Sequence, residues 1–178
     1  MRLLYRLRQF WRTLLINKDQ LELEQALVLL NPEQRALFTQ MQPGEQYHAV
    51  IMFHSLLEQG ENQPDLLVAA LLHDVGKLRY RLRPLERAMV VLVKAVMPGQ
   101  AHRWGDLPTN EWDGLGSWRK PFIVADQHAE WGAEMARKAG VSPLTETLIR
   151  EHHHRPCQDA DVKENNLRHK LWLVDNES

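Results

Sequence analysis

The sequence predicts an all-α domain, and three observations carry that expectation. Apolar residues recur at helical spacing along the chain, residues that favour helix starts stand before the apolar runs, and no convincing alternating strand or internal repeat interrupts them. Near the N-terminus Leu3, Leu4, Leu7, Phe10, Trp11 and Leu14 share one helical face, with Arg2, Arg6, Arg8 and Arg12 filling the other. Such a helix ordinarily packs its stripe on the domain. Peripheral membrane contact, with Phe10 and Trp11 as anchors, is the less expected alternative.

Asn31-Pro32-Glu33-Gln34 reads as an N-cap, a first-turn proline and a capping-box glutamine, opening a helix that runs through Phe38. Pro43-Gly44 punctuates the chain, and residues 45–59 form the next helix, closed by Gly60. The run from Asp65 through Leu72 is apolar on every side, which predicts the central buried helix. Residues 84–97 follow as a helix that Pro98-Gly99 ends, and residues 122–138, 143–153 (with Ser142 as N-cap) and 162–174 complete the set. Residues 1–42 should pack on or extend a main domain spanning 43–178.

Residues 100–121 are expected to be a loop, holding Trp104, Trp112 and Trp118 among glycines. A loop of about 20 residues is uncommon in a compact domain, and two readings stay open: an Ω-loop packed by its own aromatics, or a lid over a site.

Composition narrows the function classes. The 178 residues are 44% apolar and 25% charged with a net charge of −1, the balance of a globular domain without a global attraction for nucleic acid. Cys157 stands alone, which excludes an internal disulfide and a thiolate cluster and suits a reducing compartment. No apolar run approaches the roughly 18 residues of a membrane span, and the arginine-broken N-terminus lacks a signal cleavage site. A cytoplasmic location is expected.

The nine histidines decide the reading. In the helix capped by Ser142, Leu144, Leu148 and His152 form one stripe with Ile149 and His153 beside it, while His154 follows the polar residues Thr147, Arg150 and Glu151. His152 and His153 should therefore point inward and His154 outward. Val124, His128, Gly132 and Met135 line a face of the preceding helix, and Gly132 would admit a close neighbour. Leu167, Leu171 and Asp175 aim a carboxylate at the core, His48 shares a face with Met52 and Leu56, and His73, Asp74 and Lys77 end the buried helix. Each such group carries a desolvation cost unless it has a partner, and a shared metal centre supplies one. Imidazole nitrogens and carboxylate oxygens suit Fe, Mn, Zn or Ni.

Here the residues resemble a family. Leu71-Leu72-His73-Asp74-Val75-Gly76-Lys77 is similar to the signature of the HD superfamily of metal-dependent phosphohydrolases. The order His48, His73-Asp74, His128, His152-His153, Asp175 resembles its dinuclear branch, over roughly residues 46–175. The segments Gln127-His128-Ala129-Glu130-Trp131-Gly132-Ala133-Glu134 and Arg150-Glu151-His152-His153-His154-Arg155-Pro156 resemble blocks of the HD-GYP cyclic-di-GMP phosphodiesterases. The Asp-Gly-x-Gly-Tyr-Pro continuation is absent, with Cys157-Gln158-Asp159-Ala160 in its place. The layout and chain length also resemble the symmetrical dinucleoside-tetraphosphate hydrolases of the HD type.

The resemblance implies a compact helical bundle with a metal site between its central helices. It implies that His48, His73, Asp74 and Asp175 hold one divalent transition metal, and that Asp74 bridges to a second held by His128, His152 and His153. Fe or Mn is the first expectation for both ions, with Zn, Ni or Mg as further candidates. Two ions so placed activate a water and neutralise phosphoryl oxygens. Asp74 and Lys77 are the expected catalytic residues, Lys77 binding a phosphate oxygen or orienting the nucleophile. His54, His102, His169 and Cys157 are left as structural or surface groups.

The expected activity is hydrolysis of a phosphoester or phosphoanhydride in a linear nucleotide, with little or no turnover of cyclic-di-GMP because the Gly-Tyr-Pro loop is missing. The partner is thus a small-molecule nucleotide or phosphoester, with no nucleic acid. The alternative is a metal-binding sensory or scaffold protein without turnover.

Overall fold

The computed structural model describes residues 20–106, 118–155 and 162–177, and among these every regular element is helical. The helices are α1 (Gln20–Val28), α2 (Pro32–Gln40), α3 (Pro43–Glu58), α4 (Pro64–Leu72), α5 (Pro84–Val96), α6 (Pro98–Gly105), α7 (Lys120–Lys138), α8 (Pro143–Glu151) and α9 (Val162–Glu177), with a 3-10 turn at Val75–Arg79 between α4 and α5. The all-α class is as the sequence predicts. The N-terminal arginine stripe, Trp112 and Cys157 lie outside the described residues.

Proline sets most of the boundaries. Pro32, Pro43, Pro64, Pro84, Pro98 and Pro143 each begin a helix, and Pro121 is the second residue of α7. The reason is that the amide a proline lacks would be unsatisfied in the first turn anyway, and its fixed φ is already helical. Pro43 and Pro98 therefore start helices where the sequence reading had them separate helices. The expected loop at 100–121 is corrected by the same rule, since Gln100–Gly105 belong to α6 and Lys120–Pro121 to α7. Trp104 on α6 packs edge-on against Trp118 and Phe122, with ring centroids 5.2 and 5.0 Å away.

The core confirms the reading of α4. Leu66, Ala69, Ala70, Leu71 and Leu72 are fully buried, and Ala26, Leu30, Phe38 and Met41 of the N-terminal part share their cluster with Leu148, Ile149 and Leu171. Two local devices then register the helices that matter. The Asn31 box closes as expected, with Oδ1 accepting from Gln34 N at 2.8 Å and Gln34 Oε1 accepting from Asn31 N at 3.1 Å. At the start of α8, Ser142 Oγ accepts from Thr145 N at 3.0 Å and also donates to Asp65, while Thr145 Oγ1 donates to the same carboxylate at 2.9 Å.

That knot pins the first turns of α4 and α8 together. Each helix has nine residues, so each advances by about 13 Å before it ends. Their last turns consequently arrive side by side, with the His73 and His152 rings 5.1 Å apart. Equal length from a common anchor is what brings these two histidines into one place.

Candidate metal centre

Asp74 and Lys77 owe their position to a backbone contact. After His73 the chain leaves the α-helix through Asp74 (φ −97°, ψ 3°) into the 3-10 turn. There Gly76 lies directly against α7: a Cβ at this position would overlap the carbonyl of His128 and crowd Gly132 N at 2.7 Å. Two glycines facing each other let the His-Asp turn and the His128 turn meet at backbone distance. Gly132 was legible as a close-approach residue from its helical face; its counterpart Gly76 was read as part of a motif and not as a packing requirement.

All seven residues expected from the sequence converge here. Ligand atoms of His48, His73 and Asp74 lie within 4.8 Å of one another, as do those of His128, His152 and His153. Asp175 Oδ1 joins the first group, 3.0 Å from His48 Nε2 and 3.7 Å from His73 Nε2. Asp74 faces both groups at once. Its Oδ2 is 3.5 Å from His73 Nε2, and its Oδ1 is 3.2 Å from His128 Nε2. Lys77 Nζ donates to Asp74 Oδ2 at 2.5 Å.

Three of the imidazoles are oriented by their own helical turns. Their Nδ1 atoms lie at 2.9 Å (His73 to Ala70 O), 2.7 Å (His128 to Val124 O) and 2.6 Å (His152 to Ile149 O). A carbonyl can only accept, so Nδ1 carries a proton in each ring and Nε2 is turned into the centre. This is the tautomer and the outer support that metal-ligating histidines use. His152 Nε2 is buried without a hydrogen-bond partner, and His153 Nε2 faces His128 Nε2 at 2.9 Å. Buried acceptors left without donors are costly, and a cation at this point removes the cost. The chain's donors therefore fit a metal centre of nitrogen and oxygen ligands.

The charges agree with that fit. Burial and the neighbouring rings of His73 and His128 push the His152 imidazole down to about 3. The inner side of the His153 ring packs on His128 and His152 out of contact with water, and this burial, then the His152 and His128 rings, holds the imidazole below the usual histidine range although the residue's outer edge is exposed. Both rings are thus neutral near pH 7, the form that binds metal. Burial disfavours charge on Asp74, but Lys77 and His73 outweigh it and hold the carboxyl well below its ordinary value. Burial also opposes charge on Asp175, yet the hydrogen bond from His48 and the charge of His73 keep it ionised. His73 behaves oppositely to His152: burial works against its protonation, but the charge and hydrogen bond of Asp74, together with Asp175, push it up to about 9. A proton on this ring supplies the two carboxylates with a positive charge. Lys77 is raised as well, with burial overcome by Asp74 and Glu45.

The centre has a closed floor and an open side. His73, Asp74, His128 and His152 are buried, whereas His48, Asp175 and Lys77 each keep about a fifth of their side chains exposed. His153, expected to point inward, has its ring nitrogen on the centre but stands at the exposed rim. His154 points outward and its Nδ1 meets Glu151 at 3.0 Å, as the helical phase required. His102 pairs with Asp126, His169 stacks on Trp172, and His54 packs edge-on against Phe53. None of these three joins the cluster.

Sequence reading missed one neighbour. Glu45 is a buried carboxylate that accepts from Arg87 Nη2 at 2.5 Å, and its charge reaches Lys77. In the sequence it looked like an ordinary first-turn acid. Only its pairing with a residue 42 positions away reveals its place beside the centre.

No family model, no curated protein and no solved structure matches the chain.

Proposed function

We propose that this centre is the two-metal site of a phosphohydrolase that cleaves a phosphoester or phosphoanhydride bond of a nucleotide. The observation that carries the reading is Asp74, whose two oxygens each face a different group of histidine nitrogens across a buried floor. A carboxylate so placed suits a bridge between two ions. His48, His73, Asp74 and Asp175 would hold the first, and Asp74, His128, His152 and His153 the second. Divalent transition metals bound there supply Lewis acidity toward water and toward the phosphoryl oxygens.

The chain's own residues do the rest. The backbone carbonyls of Ala70, Val124 and Ile149 fix the ring tautomers before any ligand arrives, which lowers the reorganisation that binding requires. The buried floor excludes water from one side, so the phosphoryl group approaches past His48, Asp175 and Lys77. Lys77 keeps its cation beside Asp74 and retains donors that can reach a phosphoryl oxygen on the open side. Its positive charge suits an anionic substrate and disfavours a neutral one. The absent Gly-Tyr-Pro continuation argues for a linear nucleotide over cyclic-di-GMP.

The test is anaerobic purification, metal analysis, and a panel of linear and cyclic nucleotides with Mn²⁺ or Fe²⁺. Two metals per chain and turnover of a linear nucleotide are expected. Efficient cleavage of cyclic-di-GMP would overturn the substrate class, and two bound metals without turnover of any phosphoester would leave a metal-binding scaffold.

A further inference from the structure

Helix α5 buries Val90 against Ala101 and Phe122, with Met89 and Val93 beside it. Its charged side chains all face the protein: Glu86 accepts from Tyr80 OH at 2.9 Å and Arg83 N at 2.7 Å, Arg87 donates to Glu45 and Gln42, and Lys94 pairs with Asp126 at 2.7 Å. The opposite face carries Leu85, Ala88, Leu92, Ala95 and Val96, spaced by three, four, three and one residues as a helical stripe requires, and all of it is exposed. Leu85, Leu92 and Val96 are 79%, 56% and 69% exposed, and the stripe runs on into Met97 at 52%. No charged residue stands on this face. Scattered apolar residues at a surface are ordinary, but a continuous stripe along one helix marks a surface that meets something.

Charge identifies the occupant. Residues 75–105 contain seven lysines and arginines and one acid, Glu86; Lys77, Arg87 and Lys94 are paired with Asp74, Glu45 and Asp126, which leaves four arginines. Glu86 is occupied by Tyr80 and the Arg83 amide, while Arg81 and Arg83, in the segment leading into α5, and Arg103, on the following helix α6, are exposed. An apolar face with exposed arginines on the adjoining segments of chain complements a surface that is apolar within and anionic at its edge, which describes a bilayer containing acidic phospholipid. A second copy of the chain would instead bring these arginines against their own kind.

We propose that the outward face of α5 docks the protein on an anionic lipid bilayer, lying in the interface. No described helix is long and apolar enough to cross one. The bilayer covers the Leu85–Leu92–Val96 stripe, and the arginines of the adjoining segments meet lipid phosphates. This docking is independent of the metal centre, whose ligands lie on other elements.

Co-sedimentation of the full chain with vesicles tests it, comparing pure phosphatidylcholine with vesicles containing a third phosphatidylglycerol. Binding to the anionic vesicles, weakened by salt, is expected, with little binding to the neutral ones. The double variant L85E/L92E should lose roughly tenfold or more in vesicle affinity while keeping its metal content and helicity, because neither side chain supports the fold. Three outcomes would overturn the proposal: no binding of the wild type to anionic vesicles, equal binding by the double variant, or a wild-type dimer in solution that the double variant converts to monomer. Should the double variant fail to fold, Leu92→Ser, a smaller change on the same face, replaces it with the same readouts.

Discussion

Helices α8 and α5 violate the usual division of polar outside and apolar inside, in opposite directions. The end of α8 carries His152 into a buried cluster, and α5 carries Leu85, Leu92 and Val96 out into solvent. The inward histidine is supported at every level: its Nδ1 is bound by Ile149 O, its helix is anchored through Ser142 to Asp65, and neighbouring rings surround its Nε2. The outward leucines have no such support among the described residues. An inversion held by many contacts is part of the fold, and one held by none is part of a surface. The two should therefore respond to mutation in different ways.

The largest effect is expected at the bridge. Asp74→Ala removes the group that faces both ligand sets, so the variant should lose most bound metal and all hydrolysis. Two metals per chain in this variant, by elemental analysis of the purified protein, would disprove the bridging assignment.

Within α8 the comparison sharpens to neighbouring residues. His152→Ala should lose the second ion, whereas His154→Ala, whose ring lies outside against Glu151, should bind metal as the wild type does. The opposite ranking in metal titrations would mean that the helix is phased differently.

Gly76→Ala should destabilise the fold by about 3 kcal/mol, since its Cβ collides with the backbone of α7, which cannot move aside as a side chain could. Denaturant unfolding measures this, and an unchanged midpoint would show that the close approach is not required.

The centre also gives the metal-free protein a pH dependence. His73 is raised from the ordinary value of 6.5 to about 9, so its contribution to stability is complete below pH 6.5 and is lost as pH rises through 9. His152, lowered to about 3, has the reverse effect, because below pH 6.5 the unfolded chain takes up a proton that the folded chain refuses. Unfolding midpoints measured in chelator should therefore be highest near pH 6.5 and fall toward 9. A midpoint that rises over that interval would contradict the charge pattern of the site.

The smallest effect belongs to α5. Leu92→Ala should change stability by less than about 0.5 kcal/mol, whereas Leu148→Ala, in the core beside the histidines, should cost about 2–5 kcal/mol. Equal costs from the two unfolding curves would mean that α5 is covered in the isolated protein.

Trp104 illustrates where pattern reading runs out. Tryptophans among glycines suggest a loop, packed by its own aromatics or closing as a lid, yet Trp104 lies on a helix begun by Pro98, from which it packs against Trp118 and Phe122. A proline after a helix can end one element and begin the next, and local sequence does not distinguish the two.

By itself the sequence determined the helical class, the burial of α4, the inward turn of His152 and the outward turn of His154, because a 3.6-residue period assigns side chains to a face once a few apolar positions are known. It also placed Asp175 on the inward stripe of α9, where it meets His48 at 3.0 Å. Only the tertiary structure decided how these faces meet. That His73 and His152 coincide follows from two nine-residue helices sharing an anchor, and that Asp74 reaches His128 follows from Gly76 against Gly132. The outward turn of α5 was likewise invisible. Its amphipathic pattern is the same whichever face is buried, and ion pairs to Glu45 and Asp126, each more than thirty positions away, turn the charged face inward. Periodicity is local, whereas the choice of which face is covered belongs to partners distant in the chain.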